Sequence, residues 1–238
     1  MKKIYHNSVG ENKYTGLLLV MPFIIGFILF GIYPFVMSLI LSFTDSSLSG
    51  SVHFAGIENF KRLFSDSDFH KSVAVTLKYI LMLVPLKLAV SLGTALLLNM
   101  NIKGMGFFRT VYYLPSILGS NIAIAIMWSF LFTSDGLVNQ VLEKFGIMPV
   151  SWYGEGTPAM FMIVLLRVWE FGSTMIIFLS ALNDIPHELY DSARVDGAGK
   201  FCIFFKITLP MLKNVIFFNV VMQSITAFQE FNAPFMIT

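Results

Sequence analysis

Residues 184–214 read DIPHELYDSARVDGAGKFCIFFKITLPMLKN, a polar interruption between two long apolar runs. Asp184 is a candidate cap for the first turn of a helix, and Pro186 just inside that start brings a fixed φ and no N–H to lose. In the helix that follows, Ile185, Leu189, Ala193 and Val195 alternate with Glu188, Asp191, Arg194 and Asp196, so that one side is free to bury against a partner. Gly197 supplies the stop, because glycine takes the left-handed conformation without a Cβ clash. The chain restarts at Lys200 with Phe201, Phe204, Phe205 and Ile207, and Pro210 is expected to close this second segment. Two short amphipathic helices joined at a glycine, set between apolar runs, predict a docking element held at a membrane surface.

Composition makes the runs membrane spans. Hydrophobic residues form 56% of the 238 and charged residues 13%, with a mean hydropathy of +0.74, where a soluble domain carries about 25% charged residues. A hydrocarbon core about 30 Å thick needs roughly 20 apolar residues in a helix. Five stretches qualify: Leu17 to Leu41, Val73 to Leu98, Val111 to Phe132, Ala159 to Leu182 and Val215 to Ile237. Lipid offers the backbone no hydrogen bonds, so each is expected to be helical, bent at Pro22, Pro34 and Pro85. The fold class is therefore all-α, one polytopic transmembrane bundle over residues 1–238, with the docking loop 184–214 inside it.

Orientation follows from the basic residues. Lys2, Lys3, Lys13, Lys103, Arg109, Arg194, Lys200, Lys206 and Lys213 fall on one side, and Lys61, Arg62, Lys71 and Lys144 on the other. This bias puts the amino terminus and the docking loop in the cytoplasm. The first apolar run is too long for a cleaved leader and lacks a small-x-small site after it, so it is expected to remain as a span. A net charge of +2, spread along loops, gives no footprint for nucleic acid.

The loop resembles the EAA loop of permease subunits of binding-protein-dependent ABC importers, in Asp191-Ser192-Ala193, Asp196-Gly197-Ala198 and Ile207-Thr208-Leu209-Pro210. Asp191 and Ser192 depart from the Glu and Ala of that pattern. Leu182-Asn183-Asp184-Ile185-Pro186 resembles the family's entry to the loop, and Phe107-Phe108-Arg109-Thr110 with Leu114-Pro115 its entry to the third span. Tyr33-Pro34, Ser42-Phe43-Thr44-Asp45 and Gly56-Ile57-Glu58-Asn59-Phe60 resemble the carbohydrate-uptake branch. The resemblance implies a bacterial inner-membrane protein forming half of a sugar path, with no cofactor of its own. It implies a second homologous permease, two ATPase subunits that bind the ATP, and an extracytoplasmic solute-binding protein. It also implies Glu188, Asp191, Ser192, Ala193, Asp196, Gly197, Ala198, Ile207, Leu209 and Pro210 as the ATPase-docking residues. The family carries six spans, and this chain ends before the sixth, which reads as a truncated chain.

No catalytic set is legible. Gly199-Lys200 lacks a P-loop, with Arg194 five positions before Gly199 and Phe201 where a Mg²⁺-binding hydroxyl would stand. His6, His53, His70 and His187 are scattered without metal-ligand spacing, and the single cysteine, Cys202, reads as a small packed residue. The chain is thus expected not to be an enzyme.

Charges inside spans point to partners or wet cavities. Lys87 stands 12 residues before Asn99 and Glu170 stands 12 before Leu182, both at inner span ends, which puts the two at one depth. Either Lys87 pairs with Glu170, or Arg167 takes Glu170 instead; a buried structural pair and a substrate contact are both open. In the fifth span Gln223, Thr226 and Asn232 are candidates for the solute path, since sugar hydroxyls need amide and hydroxyl partners, with Phe228 and Phe231 to cover ring faces. Hydrogen bonds between helices are the other use of such side chains. On the outside, Trp152 and Tyr153 beside Gly154 are expected to anchor at the membrane interface. An ion-coupled secondary transporter is the alternative function; it would need inverted repeats, and none is visible.

Overall fold

The computed structural model describes residues 14–46, 52–100, 104–119, 122–153 and 156–237. Lys2, Lys3, His6, Lys13, Lys103 and Gly154 lie outside the described residues. The chain divides into two compact units, residues 1–72 and 73–238.

In the first unit an apolar helix runs as α1 (Thr15–Phe27), a wide π-type turn (Ile28–Ile32) and α2 (Tyr33–Ser42). The wide turn precedes Pro34 and takes up the hydrogen bond that the imide cannot make, so the helix does not break there. A two-stranded antiparallel hairpin follows, β1 (Thr44–Ser46) with β2 (Val52–Phe54), Asp45 facing His53. Gly56, at φ +58°, turns the chain into α3 (Glu58–Ser65). The Asn59 amide donates to the carbonyls of Ser42 at 3.0 Å and Thr44 at 2.9 Å, and the Phe60 ring stands 5.3 Å from Phe43. Two short motifs far apart in sequence are therefore the two halves of one joint that fixes the outer end of the first span.

The second unit starts in α4 (Ser67–Leu98) and continues through α5 (Met105–Leu118), α6 (Ile122–Leu131), α7 (Leu137–Lys144), α8 (Thr157–Trp169), α9 (Gly172–Asn183) and α10 (His187–Val195). Then come α11 (Lys200–Ile203), a second π-type turn (Phe204–Thr208), α12 (Leu209–Met211), α13 (Lys213–Phe228) and α14 (Asn232–Ile237). Among the described residues two helices are long and apolar enough to cross a membrane, Gly16–Ser42 and Ser67–Leu98, and the number rises to five where each of three bent pairs is one span. These match the five expected spans. Pro85 sits inside a 32-residue helix that runs on without a break. α8 and α9 are bent by 47° at a break where no proline stands, the chain bends by 65° at Leu212 two residues after Pro210, and a further interruption separates α13 from α14.

Two apolar clusters hold this unit together. Leu83, Val84, Met162, Val164 and Leu166 belong to one, and Ala95, Leu98, Met175, Phe178, Leu179 and Leu182 to the other. Along α4, Lys87 falls between the two clusters; along α8 and α9, Glu170 does. Gly172 lets α9 approach α5, since a Cβ there would stand 2.6 Å from the Tyr112 carbonyl. Small residues are what allow such close approach between spans.

Candidate functional site

Three breaks converge on one cavity of about 350 Å³. Gly119 at the end of α5, Glu170 between α8 and α9, and Gln229 to Asn232 between α13 and α14 all line it, with Leu83 and Lys87 from α4 and Ala125 from α6. Non-helical backbone at membrane depth is tolerated only when buried in protein or facing a wet cavity, and here each break does the second. Gly119 is held to glycine by geometry: a Cβ would stand 2.2 Å from the Glu170 carboxyl carbon.

The charged residues meet around Arg167. Its Nη1 donates to both Glu170 oxygens at 2.8 Å, its Nη2 donates to Glu230 Oε1 at 2.7 Å, and its Nε stands 2.6 Å from Glu230 Oε2. The side chains are 16%, 12% and 9% exposed, so these pairs are shielded from bulk water. Of the two expected pairings, Arg167 takes Glu170. Lys87 is 7% exposed and lines the same cavity, yet forms no ion pair among the described residues. Arg167 brings one positive charge to two carboxylates, and Lys87 brings the second, so the four charges cancel around the cavity.

Gln223, Thr226 and Asn232 also line this wall. They differ in what they already bond. Gln223 Nε2 donates to Thr174 Oγ1 on α9 at 2.9 Å, a bond between helices, and Thr226 Oγ1 donates to the Met222 carbonyl at 2.9 Å. Asn232 is exposed at the start of α14. The sequence reading left Glu230 out of the candidate set. Arg167 offers five N–H donors, more than one carboxylate can accept, and Glu230 is the only other acid in the five expected spans. That count was the available signal.

The docking loop departs from expectation at its start. Asp184 caps the end of α9 rather than the start of α10, and Pro186, with φ −57° and ψ 131°, is the residue that precedes α10. Its extended backbone leaves Leu189 N–H to reach the Pro186 carbonyl at 3.3 Å. The second segment closes at Met211, one residue past Pro210, and the chain bends by 65° as α13 begins. The π-type turn Phe204–Thr208 lies just ahead of the ring and makes room for it. Gly197 sits at φ +77°, where the Ala198 N–H reaches back to the Ala193 carbonyl at 2.9 Å and the Gly197 N–H to Arg194 at 3.0 Å.

Around that turn Glu188, Leu189, Asp191, Ser192, Val195, Asp196 and Phe201 are all exposed, Val195 at 89%. Asp191 holds Arg194 at 3.0 Å on the same surface. Ile185 is the exception among the apolar positions; it is buried in the inner cluster and anchors the loop. Ala193, Ala198, Ile207 and Leu209 are half-buried, and Pro210 is exposed.

Of the aromatic pair Trp152 and Tyr153, the first is corrected. Trp152 is 8% exposed, its ring edge-on to Phe132 at 5.0 Å and its indole N–H donating to Asn139 Oδ1 at 2.9 Å. It is core rather than interface anchor, because the indole N–H finds its partner inside the segment. Tyr153 is exposed and donates its hydroxyl to the Ser129 carbonyl.

Residues 88–238 match the family model described as binding-protein-dependent transport system inner membrane component. Over 240 residues the chain is 43% identical to the probable ABC transporter permease protein YesP of Bacillus subtilis, covering 100% of this chain and 77% of that one. It is 32% identical over 240 residues to the trehalose/maltose transport system permease protein MalF of Thermococcus litoralis, covering 98% and 81%. Among solved structures, a chain of a bacterial ABC transporter involved in the import of the acidic polysaccharide alginate superposes with a TM-score of 0.74 at 24% identity, over 88% of this chain and 72% of that one. That last likeness is one of fold.

Proposed function

The chain belongs to the family of binding-protein-dependent transport system inner membrane components, and on that premise we propose that it is the permease of an ATP-driven sugar importer, forming half of the solute path. One observation carries this reading: the cavity at the span breaks brings Gln223, Thr226 and Asn232 onto one wall with Phe231 beside them. Amides and hydroxyls can exchange hydrogen bonds with a sugar while an aromatic face covers its apolar ring surface. The cancelling charges of Lys87, Arg167, Glu170 and Glu230 suit a neutral solute. Relatives named for trehalose/maltose and for arabinooligosaccharides support a saccharide.

The exposed loop is the second half of the reading. Glu188, Asp191, Ser192, Asp196 and the turn at Gly197 form the surface on which an ATPase subunit docks, with Ala193, Ala198, Ile207, Leu209 and Pro210 supporting it. ATP binds there and not in this chain. The loop and the amino terminus face the cytoplasm of a bacterial cell, and a second homologous permease, two ATPase subunits and an extracytoplasmic solute-binding protein complete the transporter.

Capture of the ATPase on this chain from membranes tests the loop. Gly197→Pro and Asp191→Lys are expected to lose capture with membrane insertion unchanged; capture undiminished in both would reject the docking role. Uptake by the assembled transporter tests the path, with Gln223→Ala and Asn232→Ala expected to cut it while assembly persists.

A further inference from the structure

The stretch between α13 and α14 forms part of the cavity wall, and its place is set in part by Glu230. α13 ends with Gln229 N–H on the Ile225 carbonyl and Glu230 N–H on Ala227, and the helical pattern resumes only at Asn232. Phe231 is 65% exposed, and the side chains of Gln229 and Asn232 are exposed too. Two groups at the break point inward. Ala233 is 2% exposed and packs in the outer apolar cluster, and its N–H donates to Glu230 Oε1 at 3.1 Å. Glu230 thus closes its own chain onto the first turn of α14, as a carboxylate does at a helix start.

That carboxylate lies at membrane depth and needs a cation. Arg167 supplies it from the neighbouring broken span, with Nη2 donating at 2.7 Å and Nε 2.6 Å from the second oxygen, while Nη1 donates to Glu170. The same guanidinium therefore grips the α8–α9 break and the α13–α14 break at once. Its planar fork holds the two carboxylates in fixed directions.

We propose that Arg167 and Glu230 are positioning residues: their ion pair locks the α13–α14 break to the α8–α9 break and so sets where Gln229 and Asn232 stand on the cavity wall. In transport its consequence rests on the function proposed above, since a wall that wanders presents its amides to the solute in no fixed geometry. The lock itself belongs to this chain's own residues and can be tested without any solute.

The assembled transporter, with its partner subunits, is prepared in lipid nanodiscs with Cys202→Ser and Asn232→Cys, and the rate at which a water-soluble maleimide labels Cys at 232 is followed. Glu230→Gln keeps an oxygen for the Ala233 N–H and removes only the charge, so it isolates the pair. It is expected to raise the labelling rate about fivefold or more, the size of one lost charge-assisted hydrogen bond, with the complex intact on size exclusion. Arg167→Gln is expected to give a similar rise, and the double variant no further rise, because either change alone removes the same interaction. A labelling rate unchanged by Glu230→Gln, or increases that add in the double variant, would overturn the lock. If Arg167→Gln prevents assembly, Glu230→Gln decides alone. Should the lock hold while Gln223→Ala and Asn232→Ala leave uptake untouched, the solute path and not the lock is wrong.

Discussion

The segment from Thr133 to Tyr153 and the loop of residues 184–214 are held in different ways. The first is organised around one buried polar side chain, while its Glu143, Lys144, Phe145 and Met148 stay exposed. Asn139, 1% exposed, donates to the carbonyls of Ser134 and Val150 at 3.0 Å and accepts from Val150 N–H and the Trp152 indole. The loop puts Glu188, Asp191 and Asp196 out with Val195 and Phe201 beside them. Both segments expose charge and apolar side chains beside a left-handed glycine, Gly146 in one and Gly197 in the other, so what separates them is the buried Asn139 hub. Substitutions at that hub should therefore change stability, and those on the exposed loop surface should change association.

The largest effect expected is on the inner side. Gly197→Pro forces φ from +77° to about −65°, which redirects α11 relative to α10; ATPase capture should fall more than about tenfold, measured by pull-down from membranes at equal insertion. If capture survives, the contrast breaks at its inner end. On the outer side Asn139→Ala strips a buried hub and leaves the Trp152 and Val150 N–H groups without an acceptor. It should destabilise the segment by about 2–3 kcal/mol, read as faster amide exchange over residues 133–153, with ATPase capture unaffected.

A finer cut comes from Trp152→Phe, which keeps the ring against Phe132 and removes one hydrogen bond to Asn139. About 1 kcal/mol is expected from that, visible as a smaller change in the same exchange experiment. The smallest effect lies in neither region and serves as a baseline for an exposed pair. Arg62, bonded to Glu58 at 2.7 Å, holds the Glu58 carboxyl below the usual carboxylate range. A depressed carboxyl contributes above its unfolded pKa and loses the contribution as pH falls through the folded value. Titrating Glu58 by NMR should show a low pKa that returns to the ordinary range in Arg62→Gln, with little change in stability because the pair is open to water.

How far the sequence reached depended on the range of the physics involved. Five apolar runs and a left-handed glycine at 197 are local properties, and the structure contains them where the residues put them. The joint of Asn59 with Ser42 and Thr44 was legible only as two motifs, since nothing in either says that they touch. Lys87 and Glu170 could be placed at one depth by counting from span ends, yet that count assumed straight helices. Glu230 escaped it because α13 stops at Phe228, and residues beyond a break no longer advance about 1.5 Å each along one axis. Trp152 was misread for a related reason: an indole beside glycines has the composition of an interface anchor, and only a distant Asn139 makes it core. Pro210 marks the end of its segment to within one residue, but the wide turn ahead of it is a hydrogen-bonding choice of the preceding five residues, invisible in their apolar pattern.

That wide turn has a consequence for how tolerant this chain is of change in length. A π-type turn holds one residue more than the α-helix it interrupts, so Phe204–Thr208 takes up that extra residue in the segment that leads from the docking turn to α12. Removing one residue there would let an ordinary turn close in its place and leave the two ends near their present bearing, whereas removing a second would swing everything before it by about 100° around the axis of α12. Gly197 would then keep its turn and every docking residue its neighbours, while the whole surface faced a different compass point. Point substitutions in the loop test its chemistry; a one-residue deletion at the wide turn set against a two-residue one would test its bearing.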